Sequence, residues 1–187
     1  MDLCVDDAGS REYSVEKWKK VGEDGLEHSS WLGLIKNTMF RGATKITLDA
    51  KGRLAIPTRY RERLAARCDG QLVATVDRDH CLLIYPLPDW EEIERKLVRL
   101  PSFHERTRTM QRMMLGYATE VDIDAHGRIL LSRELRDFAE LDRQAILIGQ
   151  GNKFELWDEE RWNGKRDEWL ATDDDGDLPP DLESLSL

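Results

Sequence analysis

Two short motifs hold the residues best suited to chemistry. Asp49-Ala50-Lys51-Gly52-Arg53 returns 75 positions later as Asp124-Ala125-His126-Gly127-Arg128. An aspartate opening a type I turn can accept a hydrogen bond from a backbone N–H two residues on. A glycine three residues later can take the positive φ that closes a three-residue hairpin. Asp49, Gly52, Asp124 and Gly127 are thus the turn-forming residues, and the turn itself requires neither arginine. Arg53 and Arg128 have two readings of equal weight: an ion pair that braces the hairpin, or contact with a ligand. A tip carrying Lys51 and Arg53 can reach phosphates and base edges, where an arginine fork pairs well with guanine.

Other chemistry finds little support. His28, His80, His104 and His126 are scattered, without the histidine or cysteine spacing of a metal site. No nucleophile–base pair and no phosphate-cradling glycine loop is visible, so we expect no catalytic residue, no metal, no cofactor and no small-molecule substrate. Asp77-Arg78-Asp79-His80 is charged but lies between two strand candidates, as a solvated hairpin loop would.

The elements that must position the motifs repeat with them. Apolar/polar alternation precedes each turn, at Ile46–Ala50 and Val121–Ala125, and an apolar run follows. Helix-like stretches come next, Thr58–Arg67 and Ser132–Leu141. The strand candidates are Leu72–Val76 and Cys81–Tyr85, then Ala145–Ile148 and Phe154–Trp157. Each repeat closes with an aromatic helix, marked by Trp90, Ile93, Leu97 and Leu100 in the first and by Trp162 and Trp169 in the second. Between the repeats, Ser102-Phe103-His104-Glu105 reads as a capping box with Ser102 as N-cap. Phe103, Met110, Met113, Met114 and Tyr117 supply apolar contacts, and Arg106, Arg108 and Arg112 a basic face. Such a methionine-rich stripe is read as core or subunit interface rather than as a ligand site.

This gives five segments: an extension over 1–38, a first repeat over 39–100, a connecting helix over 101–118, a second repeat over 119–171 and an acidic tail over 172–187. Residues 1–38 carry five basic and eight acidic side chains, and 172–187 none and six, so the net −9 comes from the ends and residues 39–171 sum to zero. The acidic balance therefore leaves a nucleic-acid partner open for the core. No run of the roughly 20 apolar residues needed to span a membrane is present, and no signal peptide is evident. Cys4, Cys68 and Cys81 are odd in number and far apart, as in a reducing compartment.

Met39-Phe40-Arg41-Gly42-Ala43, followed by Asp49-Ala50-Lys51-Gly52-Arg53-Leu54-Ala55-Ile56-Pro57, closely resembles the opening of the MraZ family. These are bacterial transcriptional regulators of the division and cell-wall gene cluster, related to AbrB-type DNA-binding domains. The resemblance covers residues 39 to about 171. It implies a mainly β fold with peripheral helices: a double-split, swapped-hairpin β-barrel of two AbrB-like repeats. It also implies ring-shaped homo-oligomers that turn both motifs toward double-stranded DNA with repeated promoter boxes, in the cytoplasm and associated with the nucleoid. By position, the family's DNA-contacting arginine falls on Arg53 and its counterpart on Arg128, with Lys51 beside the first. Two departures matter: His126 replaces Lys51 in the second motif, and Ser132 stands at the Pro57 position. Family members begin near Met39, so residues 1–38 are either a mis-assigned start or an extension, disordered and dispensable in both readings. A ring-forming interaction protein whose arginines only brace hairpins is the alternative.

Overall fold

A computed structural model describes residues 39–101 and 103–171. Strand β1 (Phe40–Thr47) leads through the first motif into β2 (Arg53–Ala55), helix α1 (Thr58–Cys68), β3 (Gln71–Val76), β4 (Leu82–Pro86) and α2 (Leu87–Arg99). After α3 (Glu105–Gly116) the pattern resumes with β5 (Thr119–Asp122), β6 (Arg128–Leu130), α4 (Arg133–Phe138), β7 (Gln144–Gly151), β8 (Lys153–Asp158) and α5 (Glu159–Ala171).

Six strands form one antiparallel sheet in the order β1-β7-β8-β4-β3-β5, and β2 and β6 form a separate antiparallel ribbon. The fold is therefore sheet-rich with several helices. The expected closed barrel is not found, because β1 and β5 end the sheet order. The break lies at the turns. Beyond the turn itself, β1 and β2 are joined by one isolated bridge, Leu48 to Leu54, before β1 diverges to pair with β7.

The middle of the sheet is buried on both faces, which explains why β3 and β4 read as continuous apolar runs rather than alternating ones. On one face Leu72, Ala74, Val76, Leu82 and Ile84 join Leu54, Ile56, Tyr60, Leu64, Ile129 and Leu131. On the other, Val73, Cys81, Leu83 and Tyr85 meet Trp90 of α2 and Trp157 of β8. Fully burying one such large apolar side chain contributes about 1.5–3 kcal/mol. Trp157, Trp162 and Trp169 then stack edge to face, with centroids 5.8–6.1 Å apart.

Some local expectations are corrected and others are met. The N-cap of α3 is His104, with no side-chain capping bond, and Glu105 is the first helical residue rather than the third; Ser102 lies outside the described residues. The apolar stripe divides. Met113 and Tyr117 pack on the first core and Met114 on the second, whereas Phe103 is 93% exposed and Met110 41%. Helix α4 stops at Phe138, short of Leu141, and Glu140 then takes a φ of 50°. Leu100 caps α2 from outside the helix and is exposed. Residues 77–80 form a loop in which Asp77 Oδ1 accepts from Asp79 N at 3.1 Å, and His80 stacks on Phe138. Cys68 and Cys81 are free and buried, and burial raises both thiols, that of Cys81 well above the ordinary range, which disfavours the reactive thiolate. Cys4 and His28 lie outside the described residues, as do residues 1–38 and 172–187 generally.

Candidate nucleic-acid interface

The two turns are built alike. Asp49 Oδ1 accepts from the backbone N–H of Lys51 at 2.9 Å and of Arg53 at 3.0 Å, while Gly52 N donates to Asp49 O at 2.9 Å. Asp124 Oδ1 does the same for His126 at 2.8 Å and Arg128 at 2.9 Å, and Gly127 N donates to Asp124 O at 2.8 Å. Gly52 has a φ of 83° and Gly127 of 74°, a region that side chains bearing a Cβ rarely adopt.

Each arginine folds back onto the aspartate of its own turn. Arg53 Nε donates to Asp49 Oδ2 at 2.7 Å. Arg128 donates to Asp124 Oδ2 from Nε at 2.9 Å and from Nη2 at 2.7 Å. The bracing geometry therefore exists in both turns, yet about a third of each arginine side chain stays exposed, 33% for Arg53 and 32% for Arg128. These bonds favour the charged carboxylates. The Arg53 backbone N–H above all brings Asp49 down to about 2, and the Arg128 side chain above all does the same for Asp124. The Asp124 carboxylate in turn raises Arg128.

The antiparallel β2–β6 ribbon carries one turn at each end. Its register pairs Arg53 with Leu130, Leu54 with Ile129 and Ala55 with Arg128. Leu54 and Ile129 point into the core, each 1% exposed, so the alternate residues Arg53, Ala55, Arg128 and Leu130 share the outward face. Arg53 and Arg128 occupy diagonal positions on that face, roughly 7–8 Å apart. Each guanidinium is held beside the aspartate of its own turn, so the two like charges are each locally compensated. Beyond the ribbon, Lys51 and His126 are exposed at the two tips.

Each turn also grips the end of the other repeat's short strand. Ile56 N donates to Gly127 O at 2.9 Å and Leu131 N to Gly52 O at 3.0 Å. A second pair of arginines covers the glycines crosswise. Arg136 of α4 lies over Gly52, and Arg61 of α1 lies over Gly127, so that a Cβ on either glycine would run into the arginine. Sequence reasoning missed both. The signal was available, since Arg61 and Arg136 stand at the same 75-residue offset as the motifs.

Comparison with known proteins follows the same division. A family described as "MraZ protein, putative antitoxin-like" matches residues 39–113 and 114–172, with one motif in each match. The chain belongs to the MraZ family. It is 54% identical over 150 residues to the transcriptional regulator MraZ of Thioalkalivibrio sulfidiphilus, which covers 80% of this chain and 100% of that relative. The transcriptional regulators MraZ of Halorhodospira halophila and Pseudomonas aeruginosa are each 52% identical, over 152 and 151 residues, with the same coverage. These MraZ relatives are named as regulators rather than enzymes. Among the described residues no helix is long and apolar enough to cross a membrane.

Proposed function

We propose that this protein is a sequence-specific DNA-binding transcriptional regulator that reads duplex DNA with the outward face of the β2–β6 ribbon and its two tips. The observation that carries this reading is the shared face of Arg53 and Arg128, each oriented by its own aspartate. A two-stranded ribbon fits the major groove, and an oriented guanidinium can be bidentate to guanine. Arg53 and Lys51 form the stronger contact, Arg128 the weaker, because His126 leaves the second tip less basic.

The remaining parts of the reading follow the family resemblance. The two repeats are AbrB-like and exchange their hairpins, supported by β1 pairing with β7 and β5 with β3. Subunits assemble into a ring in the cytoplasm, in contact with the nucleoid. The target is a set of repeated promoter boxes, including the protein's own promoter, in the division and cell-wall gene cluster. With a core of zero net charge, one subunit binds weakly, and several boxes engaged at once raise avidity without new contacts.

A mobility-shift titration with the protein's own upstream DNA, run beside sizing of the free protein, tests this. Arg53→Ala is expected to lower affinity at least a hundredfold with little change in melting temperature, and Arg128→Ala to lower it less. Affinity should fall steeply with salt and drop when only one box remains. Full affinity for a single box would overturn the avidity argument. The second reading, a ring-forming interaction protein, draws on the Asp–Arg pairs seen in both turns. It predicts that Arg53→Ala and Arg128→Ala melt early or dissociate and that no variant alters DNA binding.

A further inference from the structure

Arg61 and Arg136 occupy matching places in the two repeats but are held differently. Arg61 Nε donates to Ile56 O at 2.7 Å, which fixes its guanidinium over Gly127. Arg136 Nε is buried and has no hydrogen-bond partner among the described residues, although a Cβ on Gly52 would stand only 2.5 Å from it. A buried N–H without an acceptor is unfavourable and is relieved when an acceptor arrives. Arg136 also borders an open hollow of about 600 Å³ beside the first tip, lined among others by Thr47, Asp49, Ala50, Asp142 and Arg143. The two carboxylates there are not equivalent. Asp49 is already engaged by Arg53 and by two backbone N–H groups, which leaves Asp142 as the local opposing charge.

We propose that Arg136 is a DNA-backbone contact of the first tip, contributed by the opposite repeat. On binding, its guanidinium turns from Gly52 into the hollow and donates to a phosphate oxygen, while Arg61 remains a structural cover for Gly127. The inference rests on the DNA-binding reading above and adds a residue to that site. The contacts of the first tip thereby draw on both repeats: Arg53 and Lys51 from one, Arg136 from the other.

Fluorescence anisotropy of the full chain with a promoter duplex at several salt concentrations, together with thermal melting, tests the assignment. Arg136→Gln should weaken binding about tenfold and reduce the slope of log K against log salt by about 1. Its melting temperature should stay level or rise. Arg136→Lys should recover most of the slope, since a point charge suffices for phosphate. Arg61→Gln should leave the slope alone and lower the melting temperature, because Ile56 O loses its donor. Wild-type binding and slope in Arg136→Gln would overturn the proposal, and so would a loss of melting temperature equal to that of Arg61→Gln. Inorganic phosphate that stabilises the wild type but not Arg136→Gln, with DNA binding equal in both, would mark a small-anion site and also overturn it. The two levels separate cleanly. If Arg53→Ala is defective and Arg136→Gln is normal, only this inference falls; if the wild type shows no salt-dependent binding, the DNA-binding reading falls with it.

Discussion

Asp49 and Asp124 each order a turn and an arginine with one carboxylate. That double duty ties tip geometry to pH. Their folded-state values near 2 lie below the ordinary 3.8, so the folded state favours the deprotonated form. The stabilisation is complete above about pH 5 and is lost as the pH falls through 3.8 toward 2. Melting temperature should therefore fall as the pH drops from about 5 to 2, modestly because both carboxylates are solvent-screened, and the Asp49→Asn, Asp124→Asn double variant should be less stable at pH 7 with a flatter acid limb. An acid limb as steep as that of the wild type would show that other carboxylates govern this range. Gly52 faces two obstacles to substitution: its φ of 83° and the Arg136 side chain above it. Gly52→Val should lower stability by about 1–3 kcal/mol from backbone strain alone, while Lys51→Ala, at an exposed position, should leave the melting temperature within a degree or two.

At the scale of elements, the sequence was most informative where one pattern served both local and tertiary structure. The repeated Asp-Ala-x-Gly-Arg placed two tight turns and the strands around them, since the aspartate side-chain bonds and glycine torsions are local properties. Helix limits were less legible. Ser102-Phe103-His104-Glu105 has the composition of a capping box, yet α3 begins at Glu105, and Arg108 Nη1 reaches back to Phe103 O at 2.9 Å. Nothing in the spacing of Phe103 and Met110 separated them from Met113 and Met114, because only the packing of α3 against the sheet decides which residues of the stripe are covered. The crosswise arginines were illegible for a related reason: an arginine over a glycine of another element is a tertiary fact, and only its repetition at 75 residues hinted at it. Ser132, where the first repeat has Pro57, proves to be a true N-cap, its hydroxyl accepting from Leu135 N at 3.3 Å. Ser132→Ala should cost about 1 kcal/mol and, by loosening the helix that carries Arg136, broaden the amide signals of the first tip in NMR spectra more than those of the second.

At the scale of the molecule, charge and sequence similarity divide the chain in the same place. The net charge of residues 39–171 is zero, and the family match spans residues 39–113 and 114–172. A chain beginning at Met39 is expected to fold, assemble and bind promoter DNA as the full chain does, measured by melting temperature, sizing and anisotropy side by side. Loss of any of the three would assign residues 1–38 a part in the working protein.

The pairing of β1 with β7 also sets a clock. Thr47 meets Gln144 and Phe40 meets Gly151, across 97 and 111 residues of chain. At synthesis rates of about 5–20 residues per second, the first strand leaves the ribosome roughly 5–20 s before its partner. During that interval it is an unpaired edge, open to the wrong neighbour. Its composition suits the wait: Phe40 and Ile46 are its buried residues, and Arg41 and Lys45 place cations along an otherwise bare strand. The bonds from Ile56 N to Gly127 O and from Leu131 N to Gly52 O can form only once Gly127 and Leu131 have emerged. A nascent chain halted before that point lacks the ribbon altogether, so on the DNA-binding reading proposed above a prematurely ended product would be unable to compete with finished molecules for DNA.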